Sequence, residues 1–282
     1  MECGILNLVY RNQNEEGVPM VTIQNIMDFI MEPAVLPENT VDRLEFGKPE
    51  EPVQGIAVSF LANQSVIEQT AQLGANLLIS HEGIFYKHRD MSEEQNSDPV
   101  YSEKFRLLVD NGIAVFRVHD SNHRCTPDGI MRGLLRALSW VPFEIVCHPH
   151  YSILEMPAVT LGEVLKHIKH KLGLGYLRFM GNPDMLCRRV GILVGYRGSG
   201  ELTIPLFNKE NLDLIIYGEG PEWETPEYVR DSILQGMQRG LIVLGHAESE
   251  TPGMKYLTEL LQERFPDIPV HFIPQSPIFK IS

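Results

Sequence analysis

Val53-Gln54-Gly55-Ile56-Ala57-Val58-Ser59-Phe60, then a helical pattern over 65–73, then Asn76-Leu77-Leu78-Ile79-Ser80, is the stretch that decides the fold. Both outer runs are apolar on consecutive positions, which describes strands buried on both faces, and the amphipathic segment between them supplies a crossover helix. A helix over about 101–110 leads to a third strand at 112–118 and extends the same pattern. Continuous apolar strands alternating with amphipathic helices indicate a parallel sheet with helices packed on it. The segment 141–157 breaks the rhythm: around it stand three prolines and two histidines with little periodicity, and it reads as a connection between two lobes, roughly 1–140 and 158–282. The second half repeats the logic, with helices at 161–172, 226–238 and 251–264 and strands at 189–194, 212–217, 240–244 and 269–273. The expected class is α/β: two α/β lobes with mixed or largely parallel sheets flanked by helices.

Composition narrows the function. At 282 residues the chain can build two lobes, or one large domain, without disulfide support. Hydrophobic residues at 43% and charged residues at 22% are ordinary for a folded soluble protein and set aside disorder and fibrous repeats. Lys and Arg number 24 against 37 Asp and Glu, a net charge of -13 that opposes nucleic-acid backbones and anionic membranes. The opening Met1-Glu2-Cys3-Gly4-Ile5-Leu6-Asn7 lacks a cationic stretch before an apolar run, and no apolar segment approaches the ~18 residues of a membrane span, so a cytoplasmic protein is expected. Cys3, Cys125, Cys147 and Cys187 form no CxxC pair, so any metal is to be held by His and carboxylates.

Functional residues of such sheets gather past the C-terminal ends of strands, where loops open a crevice. His81 and Glu82 follow the strand 76–80, His119, Asp120 and His123 follow 112–118, and Gly245, His246 and Glu250 follow 240–244. Three strand ends thus each deliver a histidine with a carboxylate nearby, the donor types of a divalent-metal site. One histidine at a strand end is ordinarily a hydrogen-bonded structural residue, and coincidence of three is what points to a site. Glu250 also has a local account, since a helix beginning near Ser249 or Thr251 favours an acidic residue and tolerates Pro252 in its first turn. His167 and His170 lie on the helix over 161–172 away from its apolar stripe and read as a solvated face. His148 and His150 read as structural, with no carboxylate pair close by in sequence. His81-Glu82 begins an HExxH pattern, but Phe85 stands where the second His belongs. Gly195-Tyr196-Arg197-Gly198-Ser199-Gly200 reads as a tight turn or as a phosphate cradle; it is not a P-loop.

In order, these segments resemble the NIF-three-like proteins, also called the GTP cyclohydrolase 1 type 2 or YbgI-like family, over nearly the whole chain. Val41-Asp42-Arg43-Leu44-Glu45-Phe46-Gly47 is similar to the family's early Asp-to-glycine segment. Gly74 to Gly83 is similar to its stretch ending in two histidines, with Glu82 at the second, and Val118-His119-Asp120-Ser121-Asn122-His123 has His123 at a metal-binding aspartate position. Leu244-Gly245-His246-Ala247-Glu248-Ser249-Glu250 matches the Gly-His-x-x-x-Glu segment, and Tyr217-Gly218-Glu219 falls at a glycine-rich turn. The resemblance implies a single NIF-three-like domain over 1–282, with a metal cleft between its lobes, and a toroidal homohexamer as self-partner. It implies two divalent ions per chain, zinc, manganese, iron or magnesium, on His81, Glu82, His123, His246 and Glu250, with Glu250 the better bridge and His119 supporting a ligand or relaying a proton. Glu82 and His123 read as a compensated exchange that keeps ligand count and charge. The expected activity is metal-dependent hydrolysis, with purine ring opening of GTP or a related nucleotide as the implied reaction and Lys87, Arg89, Arg117 or Arg124 offsetting phosphate charge. A metal-dependent phosphoester hydrolase and a non-enzymatic metal-binding or regulatory hexamer are the alternatives.

Overall fold

The computed structural model describes residues 20–86 and 98–279. Cys3, Lys87 and Arg89 lie outside them. The described residues fall into two compact units, one running to Ser121 and resuming at Leu260, the other Asn122–Glu259.

The first unit contains α1 (Ile23–Met31), β1 (Arg43–Phe46), β2 (Ile56–Leu61), α2 (Gln64–Gln72), β3 (Leu77–Glu82), α3 (Pro99–Asp110) and β4 (Ala114–Arg117). The chain leaves it within α4 (Asp120–Arg124). The second unit contains α5 (Gly129–Ala137), β5 (Glu144–His148), β6 (Tyr151–Thr160), α6 (Leu161–Leu172), β7 (Arg178–Met180), β8 (Leu186–Leu193), α7 (Gly200–Lys209), β9 (Leu214–Tyr217), α8 (Thr225–Leu234) and β10 (Gly240–Val243). From there α9 (His246–Arg264) leads back to the first unit, where β11 (Val270–Phe272) closes the order.

The first sheet is ordered β1-β4-β3-β2-β11, with β2, β3, β4 and β11 parallel and β1 antiparallel on the edge. Ile56, Ala57, Val58, Leu77, Leu78, Ile79, Val115 and Phe116 are fully buried, which is why these strands carry no alternation. Each large aliphatic side chain so buried contributes about 1.5–3 kcal/mol. The second sheet is mixed, ordered β5-β6-β8-β9-β10-β7, with β8, β9 and β10 parallel and the other pairings antiparallel. The architecture is α/β with two sheets flanked by helices.

Four expectations are corrected. The segment 141–157 is no connector: β5 and β6 form an antiparallel edge hairpin there, hidden from periodicity because β5 is largely exposed and its tip is held by His148 stacked on Tyr151 at 4.2 Å between centroids. The last strand joins the first sheet beside β2, whose register partners its backbone meets, rather than the second lobe. Pro252 lies inside α9, which begins three residues before Ser249, at His246. His167 is half-buried rather than solvated; its Nε2 meets the Leu138 carbonyl at 2.7 Å and its ring stacks on Trp140. Patterning also passes over α1, α5 and α7, the last because Pro205 stands in its interior.

Candidate metal centre

In the first unit, β3 runs two residues beyond its apolar core and ends on His81 and Glu82. His81 is fully buried; its Nδ1 lies 3.0 Å from the Val118 carbonyl. A carbonyl only accepts, so Nδ1 carries the hydrogen of that contact, and Nε2 is the ring atom that can serve as a ligand. His119 stacks on His81 with centroids 4.6 Å apart, and the two offer ligand atoms within 4.8 Å of one another. The His119 Nδ1 is held by Asp120 Oδ1 at 3.1 Å, and its Nε2 faces Glu82 Oε1 at 4.0 Å. Arg117 donates to the other Glu82 oxygen at 2.9 Å. Arg117 is buried and committed to that ion pair, which corrects its expected role against phosphate; Arg124 remains exposed on α4.

Two carboxylates hold this arrangement. Asp42 accepts the backbone N–H groups of His119, Asp120 and Ser121, each at 2.7 Å, together with the Ser121 hydroxyl, and so fixes the start of α4. Asp120 has both oxygens occupied, Oδ1 by His119 and Oδ2 by the Thr40 hydroxyl and Val41 N–H. Burial works to raise the Asp120 carboxyl, but the His119, Thr40 and Val41 hydrogen bonds outweigh it and keep it below the usual range. Past Glu82, Lys104 anchors the chain by donating to the Ile84 carbonyl beneath the Tyr86 ring, and burial brings its ammonium pKa down to about 8.

The second unit repeats the design. His246 and Glu250 stand one turn apart on α9, with His246 Nε2 3.2 Å from Glu250 Oε2. His123 Nε2 faces Glu250 Oε1 at 3.5 Å. Behind the rings, Glu219 Oε2 holds His246 Nδ1 at 3.0 Å and Asp128 Oδ2 holds His123 Nδ1 at 3.0 Å. Asp128 is itself fixed as the cap of α5, accepting from Ile130 N and Met131 N, and is paired with Arg197 at 3.1 Å. Burial alone would depress the His123 pKa, but the Asp128 charge and hydrogen bond, assisted by Glu250, hold it up at about 9. The Asp128 carboxyl is correspondingly lowered against the upward push of burial.

The glycine-rich loop after β8 serves this cluster. Gly195 has φ +60°, and a Cβ there would stand 2.1 Å from Glu250 Oε1 and 3.4 Å from His246 Nε2. Its N–H donates to Ser249 Oγ at 2.9 Å. Only glycine lets the backbone lie against the Glu250 carboxylate in that conformation.

All four histidines, His81, His119, His123 and His246, therefore have Nδ1 held by an oxygen and Nε2 directed into a donor cluster. Outer oxygens that fix ring orientation in this way are what metal-binding histidines use. The donor chemistry fits divalent ions: imidazole nitrogens with Glu82 in one unit and with Glu250 in the other. Asp120, Asp128 and Glu219 do the holding. Their sequence signals were slight, an N-cap position for Asp128 and a strand-following acid for Glu219. His148 and His150 are exposed on the β5–β6 hairpin, and His170 is exposed on α6.

A family model described as Duf34/NIF3 (NGG1p interacting factor 3) matches residues 22–277. The chain belongs to this family. Among relatives of this NIF3-family chain, a Clostridium perfringens protein named GTP cyclohydrolase 1 type 2 homolog is 24% identical over 238 residues, covering 82% of this chain and 86% of its own. A Pasteurella multocida protein of the same name is 27% identical over 225 residues, covering 78% and 84%. Of solved structures, a protein ybgI described as of unknown function superposes with TM-score 0.72 at 20% identity over 91% of this chain and 99% of that one. A Bacillus cereus protein related to NIF3 gives TM-score 0.73 at 14% identity over 93% and 99%. These likenesses establish the fold of the NIF3 family for this chain. Among the described residues no helix is long and apolar enough to cross a membrane.

Proposed function

We propose that the protein is a divalent-metal-dependent hydrolase that binds two ions per chain and acts on a nucleotide. The observation that carries the metal is the shared posture of the four histidines, each with Nδ1 held by an oxygen, and three of them, His119, His123 and His246, with Nε2 facing a glutamate. His81, Glu82 and His119 are the candidate donors that the first unit supplies, and His123, His246 and Glu250 those that the second supplies. Divalent ions so held would supply Lewis acidity, drawing the pKa of water toward neutrality and stabilising developing negative charge. The chain's own groups do the rest. Arg117 fixes one Glu82 oxygen and leaves the other toward His119, while Glu219 and Asp128 set the faces of His246 and His123.

The substrate class rests on the names of the relatives, which point to GTP or a similar nucleotide and to purine ring opening. The test is metal analysis of the purified protein followed by a nucleotide panel scored separately for formate and phosphate. Two metal equivalents with formate release support the proposal. Phosphate without formate transfers it to a phosphoester hydrolase, and neither product leaves a metal-binding protein. The family resemblance extends the proposal to a homohexamer, for which light scattering is expected to give about six chains of 32.0 kDa; a monomer at micromolar concentration refutes it.

A further inference from the structure

Because β8, β9 and β10 run parallel, their C-terminal ends share one side of the second sheet and their N-terminal ends the other. Gly195, Glu219 and His246 follow the C-terminal ends. At the opposite side is a cavity of about 670 Å³, lined by the first half of β8 and the residues just before β9 and β10. That volume falls in the range of small-molecule sites, roughly 300–1,000 Å³.

The lining reverses the charge of the chain. It includes Arg188, Arg189 and Arg239 against a single acid, Asp213, in a protein of net charge -13. Asp213 is turned to the backbone, accepting the N–H groups of Arg188 and Arg189 at 2.8 and 2.9 Å. Arg189 is committed to Glu155 and Glu210. Arg239 is held by neutral groups only, donating to the Tyr228 hydroxyl at 2.6 Å and the Asn208 side-chain oxygen at 2.7 Å, with its guanidinium 5.0 Å from the Phe207 ring centroid. Its position is fixed while its charge is left uncompensated. Arg188 is exposed, and among the described residues neither it nor Arg239 is paired with a carboxylate. Leu186 and Met237, both exposed, give the cavity its apolar surface.

We propose that this cavity is a second binding site, separate from the metal donors, for a small organic phosphate: an apolar body against Leu186 and Met237, and a phosphate between Arg188 and Arg239. A guanidinium matches phosphate with paired N–H donors, and an anchored one loses less freedom on binding. The exposed Leu186 and Met237 make a bare anion a poorer ligand than one carrying a hydrocarbon ring.

Isothermal titration of phenyl phosphate into the full chain tests this, with inorganic phosphate and benzoate run in parallel. One saturable site is expected, with phenyl phosphate bound more tightly than either. Arg188→Gln and Arg239→Lys are each expected to weaken it by about tenfold to a hundredfold, while Glu250→Ala leaves it unchanged. Arg239→Lys keeps the charge and removes the fork; should it fail to fold, the exposed Arg188 still decides the matter. The proposal is overturned if wild type shows no saturation by about 10 mM. Inorganic phosphate binding as tightly as phenyl phosphate, or benzoate more tightly, also overturns it. So does binding that survives Arg188→Gln and disappears in Glu250→Ala, since the anion then sits at the metal donors. Because the titration does not depend on hydrolysis, failure of the nucleotide panel leaves this result standing.

Discussion

Replacing Gly195 by alanine is expected to perturb the candidate metal centre through one methyl group. The new Cβ would stand 2.1 Å from Glu250 Oε1, so the carboxylate has to retreat by about 1.3 Å to reach an ordinary 3.4 Å contact. Metal–oxygen bonds tolerate errors of roughly 0.2 Å, and disturbing even the groups that merely orient ligands costs about 10–100-fold in affinity. Displacing Glu250 is therefore expected to weaken zinc binding by about 100-fold or more. The left-handed backbone at Gly195, φ +60°, adds strain of about 1–2 kcal/mol for a non-glycine residue. Gly173→Ala separates the two effects, since Gly173 has φ +68° with no atom within 4 Å of its would-be Cβ. Both variants are expected to melt about 2–4 °C lower for each kcal/mol lost, but only Gly195→Ala to lose zinc. The assay is isothermal titration of zinc into chelator-treated proteins, with circular dichroism confirming the fold. If Gly195→Ala binds zinc like wild type while losing as much stability as Gly173→Ala, Glu250 is not a metal donor.

Three further outcomes are expected. His246→Ala and Glu250→Ala each lose most of the metal bound by the second unit's donors while the fold persists; elemental analysis showing about two equivalents in both variants refutes that set. Glu219→Gln weakens zinc binding by about 10–100-fold without touching a donor, because His246 loses the carboxylate that orients its ring; unchanged affinity in calorimetry speaks against that role. Zinc affinity depends on pH with a defined sign: in the metal-free chain His123 is protonated below about 9, and an ion needs the Nε2 lone pair. Affinity thus rises with pH, about tenfold per unit for one displaced proton, and levels above 9. Asp128→Asn removes the main support of that proton and flattens the slope above neutrality; titrations in buffers of different protonation enthalpy count the protons, and a wild-type affinity independent of pH contradicts the scheme.

Much of the frame was legible in the chain. β2, β3 and β4 announce themselves because strands buried on both faces carry runs of consecutive apolar residues, and α6 because one apolar stripe recurs at helical spacing. The candidate donors His81, Glu82, His246 and Glu250 stand out because they follow such strands. Their holders do not: Asp120 follows His119 directly, but Asp128 lies five residues from His123 and Glu219 lies 27 from His246, and no periodicity connects a carboxylate to the ring it will steady. Nor does local pattern reveal that β11 pairs with β2, that the prolines and histidines of 141–157 make a hairpin, or that α9 reaches back to His246. The sequence by itself determined which segments are buried, since burial is written in side-chain polarity residue by residue. Which strand lies beside which, and which oxygen faces which imidazole, was decided by tertiary structure, because hydrogen bonds between distant backbones and side chains depend on the path of the chain rather than on the composition of any one stretch.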